Sequence, residues 1–222
     1  MKEYIVKIIT TEFVTHDVKR FTVEKPKGYT FKAGQATEVS INKPEWKGEK
    51  RPFTFTSLND WKELEFTIKI YEEHNGVTNQ MGKLQTGDEI IIRDVWGAIT
   101  YKEKGVFIAG GAGITPFIAI LRQLEADKEL KGNKLIFSNK TSADIILKEE
   151  FEKILKNDFY TVLTREHVIG FIDRRIDESY LKDTIKNFSQ HFYICGPETF
   201  VKSIQAILVD LGAKSDAVII EK

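Results

Sequence analysis

The stretch Gly105-Val106-Phe107-Ile108-Ala109-Gly110-Gly111-Ala112-Gly113-Ile114-Thr115-Pro116 constrains this chain more than any other. An apolar, β-branched run of strand type breaks into three glycines and a Thr-Pro, and an amphipathic stretch over 117–130 follows. A strand feeding a glycine turn that opens a helix presents bare backbone N–H groups and a positive helix end to a phosphate. Gly110, Gly111 and Gly113 allow a sharp turn and close approach of a bulky ligand. Thr115 reads as the helix N-cap and Pro116 as the first helical residue. Alone, the stretch is also an ordinary glycine-rich βα turn, so the flanking sequence has to decide.

The rhythm of the chain differs on either side of it. Before it, short runs rich in β-branched and aromatic residues occupy 4–10, 19–24, 36–41, 51–57, 64–71 and 89–93. Turn signals such as Lys25-Pro26-Lys27-Gly28 and Thr86-Gly87-Asp88 separate them, and one helical pattern spans 77–84. Six short strands at this spacing predict a small antiparallel barrel. From residue 105, strands at 105–109, 133–138, 159–163, 191–195 and 217–220 alternate with helices at 116–130, 147–156, 177–187 and 197–212. Such alternation predicts a Rossmann-like parallel sheet with helices on both faces. The composition changes at Tyr101-Lys102-Glu103-Lys104, which places two domains at 1–102 and 103–222.

Charge and cysteine usage exclude several classes. Lys+Arg 33 balances Asp+Glu 33, so no global basic field holds nucleic acid or an anionic membrane. A single cysteine forms no disulfide framework and no four-cysteine cluster. His16, His74, His167 and His191 lack metal-ligand spacing, so no metal site is expected. No apolar run reaches membrane-spanning length, and the expectation is a soluble protein of the reducing cytoplasm. Nothing in the sequence signals an oligomeric state.

Three further stretches could carry chemistry. Arg51-Pro52-Phe53-Thr54-Phe55-Thr56-Ser57 offers a guanidinium for a phosphate, an aromatic face for a planar heterocycle and a hydroxyl for a ring nitrogen, or it is simply a barrel strand. In His74-Asn75-Gly76-Val77-Thr78, a Gly and a Thr at a helix start either receive a phosphate or cap the helix. Phe192-Tyr193-Ile194-Cys195-Gly196-Pro197-Glu198 ends a strand in a cysteine and opens a helix with Gly-Pro. Ligands of open α/β sheets sit beyond the carboxyl ends of strands, so Cys195 would face the crevice of Gly111 and Gly113. Otherwise it is a buried structural cysteine.

Together the four stretches resemble the ferredoxin–NADP reductase superfamily, which includes flavodoxin reductases, cytochrome b5 reductases and oxygenase reductase components. Its Arg-x-Tyr-Ser/Thr, Gly-x-x-Ser/Thr, Gly-Gly-x-Gly-Ile-Thr-Pro and Cys-Gly-Pro motifs correspond here to Arg51 to Thr54, Gly76-Val77-Thr78 (one residue shorter than that spacing), Gly110 to Pro116, and Cys195-Gly196-Pro197. The resemblance implies a barrel that binds FAD, less commonly FMN, and a second domain that binds NADPH or NADH. Arg51 would hold flavin phosphate, Phe53 would pack on the flavin, and Thr54 would contact its N5 edge. Val77 and Thr78 would hold phosphate at the helix start. Gly110, Gly111, Gly113, Thr115 and Pro116 would hold the dinucleotide pyrophosphate, beside Gly196 and Pro197. Cys195 would sit near the nicotinamide C4 in a positioning role. Phe53 stands where the family carries Tyr, which removes a phenol hydroxyl. The chain ends Ile220-Glu221-Lys222 where plant-type members have a terminal aromatic residue. Glu221 is then either a proton donor near N5, as in some relatives, or a solvated charge.

The second parallel strand ends Ser138-Asn139-Lys140-Thr141, without the acid that usually marks NAD, and the third ends Thr164-Arg165. A Thr-Arg pair there resembles the 2′-phosphate site of NADP-using members, which favours NADPH. The acceptor is expected to be a separate carrier protein, flavodoxin, ferredoxin or similar, and Lys43, Lys47, Lys50 and Arg51 suit an acidic carrier. The alternatives are a non-catalytic flavin-carrying subunit of a larger complex, or a free flavin or ferric reductase.

Overall fold

The computed structural model describes residues 2–97 and 99–221. Its first half is a six-stranded antiparallel sheet. The strands are β1 (Glu3–Phe13), β2 (Val18–Glu24), β3 (Gln35–Ile41), β4 (Arg51–Thr54), β5 (Glu63–Lys69) and β6 (Glu89–Gly97), in the order β4-β3-β6-β1-β2-β5. The sheet curls into a half-barrel. Beyond β4 the seam is crossed by the Thr56 N–H donating to the Glu65 carbonyl at 2.8 Å. Pairing of β4 stops at Thr54 rather than at 57, and Pro52, which has no N–H to give a further neighbour, suits this edge position. β6 runs four residues past the expected end because Val95 and Trp96 still pair with β3. The polar Arg93-Asp94 pair hides this in the sequence. Arg93 is nonetheless buried, its guanidinium donating to Glu3 and Ser40. The short helix α1 (Val77–Gly82) sits between β5 and β6.

The second half is a six-stranded parallel sheet of β7 (Gly105–Gly110), β8 (Lys134–Asn139), β9 (Phe159–Leu163), β10 (Ile172–Asp173), β11 (His191–Cys195) and β12 (Val218–Ile220), ordered β10-β9-β8-β7-β11-β12. Five of these match the expected strands. The two-residue β10 is too short to leave a pattern. The helices are α2 (Thr115–Ala126), α3 (Lys148–Leu155), α4 (Glu178–Thr184) and α5 (Glu198–Asp210). α2 ends four residues before the expected 130, and Lys128, at φ 60°, turns the chain away without a glycine. The strand order reverses between β7 and β11, so the ends of these two strands flank the topological switch point.

Side-chain alternation along β7 builds both layers. Val106 and Ile108 join Leu181, Ile194 and Ile204 on one face, while Phe107 and Ala109 join Phe117, Phe137 and Tyr193 on the other. This second cluster also takes in Val18 and Ile99, so the two halves share an apolar core. Gly34 marks the contact: at φ +87°, a Cβ there would lie 2.3 Å from the Ile99 carbonyl and 3.0 Å from Ile120 Cδ1. Polar ties cross as well, from Arg122 of α2 to Thr56 and Glu65, and more loosely from His16 to Asp144 at 3.8 Å.

Candidate active site at the switch point

β7 ends at Gly110, and Gly111–Ile114 form a single tight turn that winds directly into α2. Ile114 is therefore already near helical geometry (φ −69°, ψ −24°) and takes the N-cap place expected for Thr115. Thr115 is the first helical residue and Pro116 the second, and the Thr115 hydroxyl donates to the Ala112 carbonyl at 3.0 Å. No side chain caps α2; the Thr115 N–H donates to the Ala112 carbonyl and Pro116 has none, so the backbone that faces the cavity here is that of Gly110 to Gly113. The three glycines have different duties. Gly111 has φ +52° with open space around it. A Cβ on Gly113 would lie 2.3 Å from the Cys195 carbonyl oxygen, so this glycine lets the end of β11 press against the turn. Gly110 and Gly196 make room for Phe200, whose ring a Cβ would meet at 3.1 and 2.9 Å.

Cys195 closes β11 and is 4% exposed. The parallel pairing of Ile194 with Ile220 brings Glu221 alongside, and the thiol donates to Glu221 Oε2 at 2.8 Å. Burial, and then the adjacent carboxylate, push the thiol well above its ordinary range, so Cys195 is a neutral hydrogen-bond donor. Glu221 is exposed and tied to the crevice by this bond.

Both residues line a cavity of about 970 Å³. The antiparallel sheet contributes Lys69 and Tyr71; the parallel sheet contributes the glycine turn, Cys195 and the ends of β8 and β9. At its far end Asn139 is 4% exposed, and neither its amide oxygen nor its amide nitrogen has a partner. A buried amide left wholly unsatisfied inside a cavity fits a polar ligand. Thr164 does not have its hydroxyl proton free for a phosphate, because Oγ1 donates to the Asn139 carbonyl at 3.2 Å. Arg165 is exposed and unpaired among the described residues, and Lys140 and Arg175 line the cavity beside it. Glu166, the obvious partner in sequence, instead accepts the Ser142 N–H at 2.6 Å, which holds its carboxyl below the ordinary range. Asn139 and Arg175 gave no sequence signal as ligands. Topology, not spacing, brings them together.

On the antiparallel sheet, Thr54 is buried, Phe53 half-buried and Arg51 exposed. Arg51 donates to the Lys50 carbonyl and lies 3.9 Å from Glu49, and Lys50 pairs with Glu38 at 3.7 Å. The basic loop of Lys43, Lys47, Lys50 and Arg51 is thus interleaved with carboxylates. α1 has Gly76 at its N-cap and no side-chain cap, contrary to the capping alternative. Val77 is buried in the half-barrel, so only its backbone faces outward, whereas Thr78 is half-exposed. Buried Lys19 anchors the other end of α1 through the Gly82 and Leu84 carbonyls at 3.0 and 2.7 Å. The uncapped start of α1 and the glycine turn before α2 fit two phosphate-bearing groups, one on each half.

Residues 5–101 match the oxidoreductase FAD-binding domain family and residues 107–206 the oxidoreductase NAD-binding domain family. The chain is 26% identical over 211 residues to "NADH-cytochrome b5 reductase 2" of Mycosarcoma maydis, covering 85% of this chain and 60% of that protein. It is 27% identical over 242 residues to "Cytochrome b5 reductase 4" of Rattus norvegicus, covering 96% and 46%. The chain thus spans about half the length of these relatives. In fold it is similar to a ferredoxin NADP+ reductase from Neisseria gonorrhoeae, solved with bound FAD and NADP. The TM-score is 0.85 at 22% identity, over 100% of this chain and 98% of the other. Among the described residues no helix is long and apolar enough to cross a membrane.

Proposed function

We propose that this chain, whose two halves match the oxidoreductase FAD-binding and NAD-binding domain families in turn, is an NAD(P)H-dependent flavoprotein reductase of the ferredoxin–NADP reductase superfamily serving a separate electron acceptor. FAD, when bound, supplies the redox chemistry by taking a hydride and releasing electrons onward. In this reading residues 1–102 hold the flavin and 103–222 the nicotinamide dinucleotide. Arg51 exchanges its exposed contact with Glu49 for flavin phosphate, aided by the N–H groups of Val77 and Thr78 at the start of α1, where Gly76, its own N–H on the His74 carbonyl, leaves open space for the group. Phe53 offers its ring face and Thr54 its hydroxyl. Gly110 to Gly113, with Thr115 and Pro116, receive the pyrophosphate at the start of α2, and Gly196 and Pro197 form the facing wall. Cys195 keeps its proton on Sγ, oriented by Glu221, and positions the nicotinamide without acting as a nucleophile.

The observation that carries this reading is the cavity at the switch point, lined from both sheets and containing a neutral thiol and an unsatisfied amide. Lys140, Arg165 and Arg175 without an acid at the end of β8 favour NADPH over NADH. For the acceptor we propose a one-electron carrier protein of the flavodoxin, ferredoxin or cytochrome b5 kind, in the cytoplasm, where a lone thiol stays reduced. The test is to purify the protein, release and identify its flavin, and titrate it anaerobically with each nucleotide. FAD should be found, and NADPH should bleach its visible band faster than NADH. A colourless protein that neither FAD nor FMN reconstitutes, or a band that neither nucleotide bleaches, refutes the reading.

A further inference from the structure

Arg122 lies on α2, two helical turns beyond the glycine turn, and its side chain is 10% exposed. Nε and Nη2 form a fork on Glu150 of α3 at 2.5 and 2.8 Å. Nη1 crosses to the antiparallel sheet and donates to the Thr56 carbonyl and to Glu65 Oε1, both at 2.7 Å. Thr56 lies two residues beyond Thr54 on the same segment. Its hydroxyl also donates to Glu65 Oε1 at 2.7 Å, and the Glu65 N–H donates to Ser57 Oγ at 3.0 Å. The Trp61 ring covers the guanidinium at 5.3 Å. Burial works against the charge of Arg122, and the hydrogen bond to Glu150 and the charges of both carboxylates more than offset it. Among the described residues, no other buried charged side chain bonds across the two halves. The rest of the contact is apolar packing around Val18 and Ile99, which has no preferred direction, two hydrogen bonds beside the linker (Tyr101 hydroxyl to Asn133 Oδ1 at 3.4 Å and Lys102 N–H to the Tyr193 oxygen at 3.0 Å), and the approach of exposed His16 to Asp144.

We infer that Arg122 is a positioning residue for hydride transfer, fixing the separation between the turn that receives the nicotinamide dinucleotide and the strand that receives the flavin. This rests on the reductase reading above. Two acceptors of the antiparallel sheet, both 2.7 Å from one nitrogen of a planar guanidinium, constrain distance and angle together, which a point charge or an apolar contact does not. A buried ion pair is a poor source of stability compared with apolar packing, so its value here lies in geometry. A displacement of about 1 Å at reacting centres costs ~100-fold in rate.

The two carboxylate partners allow a matched test. Glu65→Met removes the carboxylate across the halves and leaves the Thr56 carbonyl, whereas Glu150→Met removes the carboxylate within the same half. Each leaves Arg122 one carboxylate. Alongside these and Arg122→Met, two quantities are measured: the limiting rate of anaerobic flavin bleaching at saturating NADPH, and amide exchange at Thr56 and Glu65 in flavin-free protein. Glu65→Met and Arg122→Met should lower the limiting rate ~10–100-fold. NADPH affinity and flavin occupancy should hold within about 3-fold, and both amides should exchange faster. Glu150→Met should keep the rate within about 2-fold. Equal losses in Glu65→Met and Glu150→Met, or an unchanged rate in Glu65→Met, overturn the inference. Should Arg122→Met fail to fold, the Glu65 and Glu150 variants decide alone. If the unaltered protein is not bleached by either nucleotide, it is the reductase reading that fails.

Discussion

Gly113→Ala puts the smallest possible side chain at the tightest point of the crevice. The new Cβ would lie 2.3, 2.4 and 2.5 Å from the Cys195 oxygen, the Cys195 carbon and the Gly196 nitrogen. All three are backbone atoms, so no rotamer change relieves the clash. Ordinary contact begins near 3.4 Å, and the end of β11 must therefore move from the glycine turn by about 3.4 − 2.3 = 1.1 Å. Overpacking of this kind costs ~1–3 kcal/mol, which for a chain of this length lowers the melting temperature by ~2–12 °C. The same shift separates Cys195 from the turn, and a misplacement of about 1 Å costs ~100-fold in rate. Gly87→Ala, in the turn before β6 and outside the cavity lining, is the control. It has open space around its Cβ but φ +93°, so it costs ~1–2 kcal/mol of backbone strain without moving β11. Thermal unfolding and single-turnover flavin bleaching separate the two variants. Comparable melting temperatures are expected, with the large rate loss confined to Gly113→Ala. A Gly113→Ala protein that is destabilised yet bleaches at the normal rate would show that the contact of Gly113 with Cys195 does not place the reacting groups.

Asn139→Leu replaces an unsatisfied buried amide by an apolar group of similar size, so stability should hold or rise by ~1 kcal/mol while the KM for NADPH rises. A loss of stability with unchanged KM would mean the amide serves the fold. Alanine at Lys140, Arg165 or Arg175 should raise the KM for NADPH by ~10-fold or more at low salt, leave NADH nearly unaffected, and lose this contrast as salt increases; equal effects on both nucleotides would refute the 2′-phosphate assignment. Cys195 makes a pH prediction. Its thiol pKa is raised in the fold, so above the ordinary thiol range the folded protein keeps a proton that the unfolded chain has released, and stability falls as pH rises. Between about pH 9 and pH 10 the loss from Cys195 is ~1 kcal/mol. Tyr29, Tyr180 and Tyr193, also raised by burial, begin to add to it as the unfolded tyrosine range, about 10, is reached. Urea denaturation should therefore show a decline over this window that is ~1 kcal/mol shallower in Cys195→Ala than in the native sequence; equal slopes would refute it.

Half-barrel and parallel sheet were both legible because each imposes a period on the residues: short β-branched runs in the first half, strand–helix alternation in the second. Errors fall where local chemistry and burial part company. β6 outruns its sequence pattern at Arg93 because a buried arginine reads as an exposed end, and only the fold supplies Glu3 and Ser40 to satisfy it. Thr115 has the right chemistry for an N-cap, but the tight turn at Gly111–Ile114 starts the helical geometry one residue early.

The same division explains what was visible at the site. Its backbone part could be read directly, because positive φ favours glycine at Gly111 and the close approach of the Cys195 backbone demands it at Gly113. Its side-chain part could not. Asn139 ends one strand, Arg175 follows another, and Arg122 is the seventh residue past Thr115 on a helix whose neighbours are apolar. Each is unremarkable at its own position and acquires a partner or a ligand only when parallel strands end side by side, or when α2 docks against Thr56 and Glu65. Phosphate recognition by backbone therefore survives as a sequence signature. Dinucleotide choice and the spacing of the two halves are set by residues that the topology brings together, and mutations that retune the proposed reductase should concentrate at those positions rather than in the glycine turn.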